Sequence, residues 1–361
     1  MRKVFWVILV AWCGMLLGFS AFGDEAKTPP ALSLQEAVTL GLQESRAIRR
    51  AELNVKLQEV AYREGKANLL LSPSVVSELQ LENAWRSAQR SFALSRMQLA
   101  LQIEEAYYNV LKAERALNLA QENLARLEKQ LEDVRMKFSL GVVAKIDVLR
   151  SELEVDRARL EVERAKENLV LSRMNFGSIL GKGLGAQFTL SSSLEFTPET
   201  MDLDACIQYA LEHRPEVKEK EEALALRKKE LEVITSYTPP LEREKAKINL
   251  AIAELELADV RESIILEVRQ RFSELLAAQK NVPIAEKGVA VARETLNVQR
   301  ARFEAGVITL LDLLDAQNDL YEAENNYLQA VFEYNIARAK FFNALGADLE
   351  DREKLVQKEN G

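Results

Sequence analysis

The chain has 361 residues, with 48 Lys and Arg against 56 Asp and Glu, a formal charge of -8, one histidine and two cysteines. An acidic balance of that size argues against nucleic acid as the main partner. One histidine with two cysteines is too small a set of ligands for a His/Cys metal centre.

Residues 1–23 open with Arg2 and Lys3, continue in an apolar run from Val4 to Phe22, and offer small residues at Ala21 and Gly23 before Asp24. That order reads as a cleavable secretory signal peptide; the alternative is an uncleaved anchor, since the run has about the minimum length of a span. Cleavage removes Arg2 and Lys3 and no acid, taking the charge from -8 to -10. It also removes Cys13, so Cys206 alone remains and no intramolecular disulfide forms. The lone His213, followed by Arg214 and Pro215, reads as a helix-end residue.

The rest is one motif used twice. Leu34 to Lys56 matches the segment from Leu203 at a shift of 169, and a second match runs at a shift of 165 from Leu101/Leu266 through Tyr107/Phe272, Gly141/Gly306, Asp147/Asp312 and Phe176/Phe341 to Gly181/Gly346. Each half, 24–181 and 201–347, reads as a short helix, a medium helix, a very long helix, a glycine turn and a long return helix. Prolines at Pro73 and at Pro239-Pro240 mark the reversal before each long helix. The long helices are predicted over Ser74–Leu140 and Leu241–Ala305, on the order of 100 Å each at 1.5 Å per residue.

The first long helix carries a sustained heptad. One seam is Ile103, Val110, Leu117, Leu124, Leu131 and Phe138, with Leu99, Ala106, Ala113, Ala120, Leu127 and Val134 beside it; the second half repeats the first seam from Val268 to Phe303. Such seams specify knobs-into-holes pairing with other helices. Pro283 is expected to kink the second long helix. Between the halves, 182–200 reads as a glycine- and serine-rich linker with room for one short strand, and 348–361 as a charged, frayed tail. The fold class is therefore all-α: tandem long antiparallel coiled-coil hairpins.

With these residues in view, the chain resembles the TolC family of outer-membrane efflux ducts. The resemblance rests on LSLQEAVTLGLQES from Leu32, EEAYYNVL from Glu104, KFSLGVVAKIDVLRSELE from Lys137, and the long stretch from Ala301 to Gly346. It implies an α-barrel protomer of a homotrimer, located in the cell envelope, that passes cargo from an inner-membrane pump through a periplasmic adaptor protein. It implies neither a cofactor nor a metal nor an enzymatic site, and no HExxH, nucleophile elbow or P-loop is present in the sequence. A non-transport periplasmic coiled-coil scaffold is the alternative. In the family each long helix is preceded by a pair of membrane strands of roughly 9 to 11 residues. Here nothing of that length separates Leu71 or Tyr237 from the long helices, so little or no β-barrel is expected, unless Val75 to Trp85 is itself a degenerate strand.

The resemblance also places Asp312 and Asp315, with Asp147 as the first-half equivalent of Asp312, at a tip constriction where six carboxylates of a trimer meet and raise one another's pKa. Thr309 and Asp312 equally fit a helix capping box. The turns Gly141-Val142 and Gly306-Val307 are the candidate adaptor contacts, although both glycines also read as left-handed helix terminators. The family's tyrosine and arginine at the tip latch are replaced by Phe303 and Ile308, so any closed state is expected to be held by packing.

Overall fold

A computed structural model describes residues 31–71, 73–183, 188–235 and 238–356. The secretory segment expected over 1–23 and the last five residues of the tail lie outside the described residues. In chain order the elements are β1 (Ala31–Leu32), α1 (Leu34–Glu44), α2 (Arg46–Leu69), α3 (Val75–Ser139), α4 (Lys145–Ile179), β2 (Thr189–Leu190), α5 (Leu203–His213), α6 (Pro215–Glu232), α7 (Pro240–Glu304), α8 (Leu310–Leu345) and α9 (Leu349–Leu355).

Helix starts follow capping chemistry. Ser33 accepts from the Glu36 N–H while the Glu36 carboxylate accepts from the Ser33 N–H at 2.8 Å, which opens α1 with a capping box. Helix α7 begins with Pro240 at its first position, where the missing N–H has no partner to lose. It then runs through Pro283 without ending. Helices α3 and α7 have 65 residues each, about 100 Å at 1.5 Å per residue. Because α3 is helical from Val75, the degenerate-strand reading of Val75 to Trp85 is overturned; Glu78 to Glu82 are strong helix formers in a helix.

Each long helix serves as a mast for two partners. Helix α3 packs on α4 toward the glycine turn and on α2 toward the other end, and α7 pairs with α8 and α6 in the same way. The halves join through α3 against α8 and α6. Where each return helix ends, a core forms: Ile103, Tyr107, Val110, Phe176 and Leu180 in the first half, and Val268, Leu275, Tyr334, Phe341 and Leu345 in the second. Fully burying one such side chain stabilises by about 1.5–3 kcal/mol.

Strand β1 pairs in parallel with β2, two residues on each side. The Tyr107 hydroxyl fastens this crossing by donating to the Leu32 carbonyl at 3.0 Å and accepting from the Ser192 N–H. The linker's short strand is therefore present, and its partner before α1 is new.

Two expectations need correction. The tail is not frayed at its start: α9 is helical, and Arg352 donates to both Glu104 carboxylate oxygens at 2.9 and 2.6 Å, with the two side chains 7% and 1% exposed. Phe138, at the end of the predicted seam, is 43% exposed, whereas its second-half equivalent Phe303 is buried. The two halves thus pack differently at the tip.

Candidate functional site

The tip is built where two helical hairpins turn. Gly141 and Gly306 sit at φ 75° and 70°, a left-handed conformation that glycine adopts without steric cost. Each turn closes with a bond characteristic of such a terminator: the Val142 N–H reaches the Lys137 carbonyl and the Val307 N–H the Arg302 carbonyl, both at 2.9 Å. The terminator role of both glycines is thus realised. Val142 and Val307 project from the turns, 68% and 73% exposed.

The acids behind these turns bond first to their own helices. The Asp312 carboxylate accepts from the Thr309 N–H at 2.9 Å and from its hydroxyl at 2.7 Å, while Thr309 accepts from the Asp312 N–H. This capping box holds the Asp312 carboxyl below its ordinary value, the Thr309 hydroxyl contributing most. The direction is opposite to the rise expected of a carboxylate ring, because in the single chain the hydrogen bonds to Asp312 are the dominant influence. Asp147, at the equivalent position of α4, accepts from the Ala144 N–H at 3.2 Å. Alanine has no side-chain acceptor to answer it, so only half a box forms. Asp315 is exposed one turn further along α8. Thus the chain brings Asp312 and Asp315 together on one helix, with Asp147 on the other hairpin.

Around these acids the tip is apolar. Leu131, Val134, Val155, Phe303, Leu310 and Leu314 form a closed cluster, with Ile308 partly buried against it. The Lys137 ammonium lies 4.2 Å above the Phe303 ring, a cation–π contact in place of a hydrogen-bonded latch. Sequence reasoning missed a polar joint higher up, where Glu324 of α8 accepts from Arg126 of α3 at 2.9 Å and lies 3.7 Å from Arg293 of α7. Its carboxylate is 10% exposed, and an ion pair this far removed from solvent is costly to leave half-made. No helical period encodes such a pairing. Among the described residues no cluster of His, Cys, Asp and Glu is arranged to hold a metal ion.

A second pattern lies along the flanks. On α4, Ile146, Leu153 and Leu160 are 53%, 50% and 54% exposed at seven-residue spacing. On α7, Leu241, Ile248 and Leu255, then Ile284, Val291 and Val298, repeat that spacing at 42–78% exposure. These stripes face away from the core of the chain that carries them.

Residues 242–347 match the sequence profile of the family described as Outer membrane efflux protein. Outer membrane protein TolC of Escherichia coli (strain K12) is 28% identical over 102 residues, which cover 28% of this chain and 21% of that protein. The chain thus spans about a fifth of the length of this relative. The TolC of Vibrio cholerae serotype O1 is 21% identical over 312 residues, covering 73% of this chain and 71% of that one. Among solved structures, the open state of the Neisseria gonorrhoeae MtrE outer membrane channel has a TM-score of 0.68 at 19% identity, over 87% of this chain and 89% of that one. At that identity the likeness is one of fold. A TolC-type family fits the chain, and its predominantly helical, twice-repeated hairpin architecture resembles the fold of the helical part of such channels.

Proposed function

We propose that this chain is one protomer of a helical efflux duct in the cell envelope, three copies of which stand side by side around a lumen. The duct receives cargo from an inner-membrane pump through a periplasmic adaptor. The observation that carries this reading is the pair of exposed aliphatic heptads on α4 and α7. Apolar positions repeating every seven residues call for a neighbouring helix. Because the two stripes lie on different hairpins, the α4 stripe of one copy meets Ile284, Val291 and Val298 at the same height on α7 of the next, a head-to-tail contact that closes into a ring.

At the tip of such a ring, Asp312 and Asp315 of three copies line a constriction that favours cations, with Asp147 beside it. The exposed turns Gly141-Val142 and Gly306-Val307 are the surfaces offered to the adaptor. Selection among cargoes rests with the pump, since a wide duct discriminates weakly.

The scaffold reading draws on one observation. Only five residues connect α2 to α3 and seven connect α6 to α7, fewer in each case than one membrane strand of roughly 9 to 11 residues requires. Light scattering and electron microscopy separate the two readings. A duct gives a trimeric mass and end-on projections with an open centre, and Leu153→Asp with Leu160→Asp reduces it to monomers of unchanged helix content. A monomeric wild-type protein, or a particle without a central passage, overturns the duct.

A further inference from the structure

We infer that the cleft between α3 and the junction of α5 with α6 is a binding site for a small tetrahedral oxyanion, of the sulfate or phosphate class. A cavity of about 370 Å³ opens there, many times the ~30 Å³ that one water occupies. Arg86, Gln89 and Arg90 line it from α3, Lys218 and Glu222 from α6, and His213, its ring stacked on Tyr209 at 3.9 Å, from the end of α5. Two short residues, Ala93 and Pro215, complete the lining and leave the room.

The cluster is cationic in a chain that as a whole is acidic. Three permanent cations line the cavity against one carboxylate, that of Glu222. The carboxylate is shared: Arg86 donates to one of its oxygens at 3.2 Å and Arg90 to the other. Arg86 has a second acid on its own helix, Glu82 at 2.6 Å, and with Glu82 counted one positive charge is still in surplus. Lys218 carries that surplus, since its ammonium makes neither a hydrogen bond nor an ion pair with any described residue. Arg90 is also incompletely used. Its side chain is 12% exposed, and its Nε–H is buried without an acceptor. A buried donor left unpaired is costly, and an oxyanion in the cavity supplies the missing acceptor.

Helix α6 adds to the same field. It begins at Pro215 with no side-chain cap, so the positive end of its dipole is left to an anion. Arg214, at the cap position, directs its guanidinium to Glu216, Glu267 and the Ala344 carbonyl instead. Donors thus come to one cavity from two repeats, Arg90 from the first and Lys218 from the second, which suits an acceptor with several charged oxygens. A bound anion fastens one repeat to the other. At this level α3 and α6 are the two middle helices, with α2 packed on α3 and α7 on α6. The cleft therefore lies within one chain and needs no second copy.

The test is isothermal titration of the mature full-length protein with sodium sulfate, in chloride buffer at fixed ionic strength. The wild type is expected to bind one sulfate per chain with a submillimolar Kd. Lys218→Gln should weaken binding at least tenfold. Ala93→Leu, which fills the cavity and leaves every charge in place, should abolish it, with circular dichroism showing that both variants stay folded. A wild type that binds nothing at millimolar sulfate overturns the inference, as does undiminished binding by either folded variant, or heat that chloride reproduces equally. Glycerol phosphate, titrated in the same way, separates the sources of the anion: binding extends the site to an esterified group, and no binding restricts it to the free ion. The inference does not depend on the ring. The Leu153→Asp, Leu160→Asp monomer keeps the cleft and should bind sulfate with the wild-type Kd, so loss of the duct and loss of the anion site are told apart.

Discussion

Replacing Arg352 by alanine tests whether α9 is part of the folded unit. In the native chain its guanidinium makes two bonds to Glu104 and lies 5.2 Å from the centre of the Phe342 ring, and both charged side chains are almost wholly removed from water. Truncation leaves the Glu104 carboxylate at 1% exposure without its cation, and breaking a buried pair in this way costs about 3–5 kcal/mol. Replacing both partners, Glu104→Leu with Arg352→Met, removes both desolvation penalties and should fall within about 1 kcal/mol of wild type, because apolar groups of similar volume substitute well for a buried pair. The single variant can escape part of the loss by releasing α9 and letting water reach Glu104, so two measurements are needed. Urea unfolding followed at 222 nm reports the global loss, and amide exchange over 349–355 reports local release. The reasoning is refuted if Arg352→Ala costs less than about 1 kcal/mol while α9 stays protected, or if the double variant is as damaged as the single one.

Glycines at two kinds of site should respond with opposite sign. Gly306→Ala forces a side chain into a left-handed conformation with no clash from neighbours, and should destabilise by about 1–2 kcal/mol in urea unfolding. Gly288→Ala, in the interior of α7 and facing open space, should stabilise by up to about 1 kcal/mol. The Asp312 cap should depend on pH. Its carboxyl is lowered by Thr309, so its contribution is fully present above the ordinary aspartate value of about 3.9. The contribution is lost as pH falls through the lower folded-state value. Amide exchange over 309–312, corrected for intrinsic rates, should therefore keep its protection above about pH 4, lose it as pH falls further in the wild type, and show no such step in Asp312→Asn.

Much of the architecture was legible because it is written in residues with strong local effects. Prolines and glycines bracket both long helices, and the predicted spans Ser74–Leu140 and Leu241–Ala305 differ by one residue at each end from the observed α3 and α7. The heptad seam from Ile103 is buried at Ile103, Val110 and Leu131 and partly buried at Leu117 and Leu124, and Phe138 then departs from it. Whether that last residue is covered depends on the opposite hairpin, which a period within one helix does not describe. The β1–β2 pair has two residues a side, too few for any alternation to register. Arg352 looked like tail because its partner is 248 positions away. At the tip, Thr309 and Asp312 gave the cap by their spacing, and the replacement of polar latch residues by Phe303 and Ile308 foretold an apolar tip, but not the Lys137 ammonium on the Phe303 ring.

The equal 65-residue lengths of α3 and α7 make the rod a ruler with coarse graduations. Deleting one residue from either helix turns everything beyond it by about 100° and swings the buried seam into solvent. Deleting seven restores the seam to within about 20° and shortens the rod by roughly 10 Å. A viable change of reach is therefore a whole heptad, taken out of α3, α4, α7 and α8 at once. Homologues built on this plan should differ in height by discrete steps, and intermediate heights should be missing.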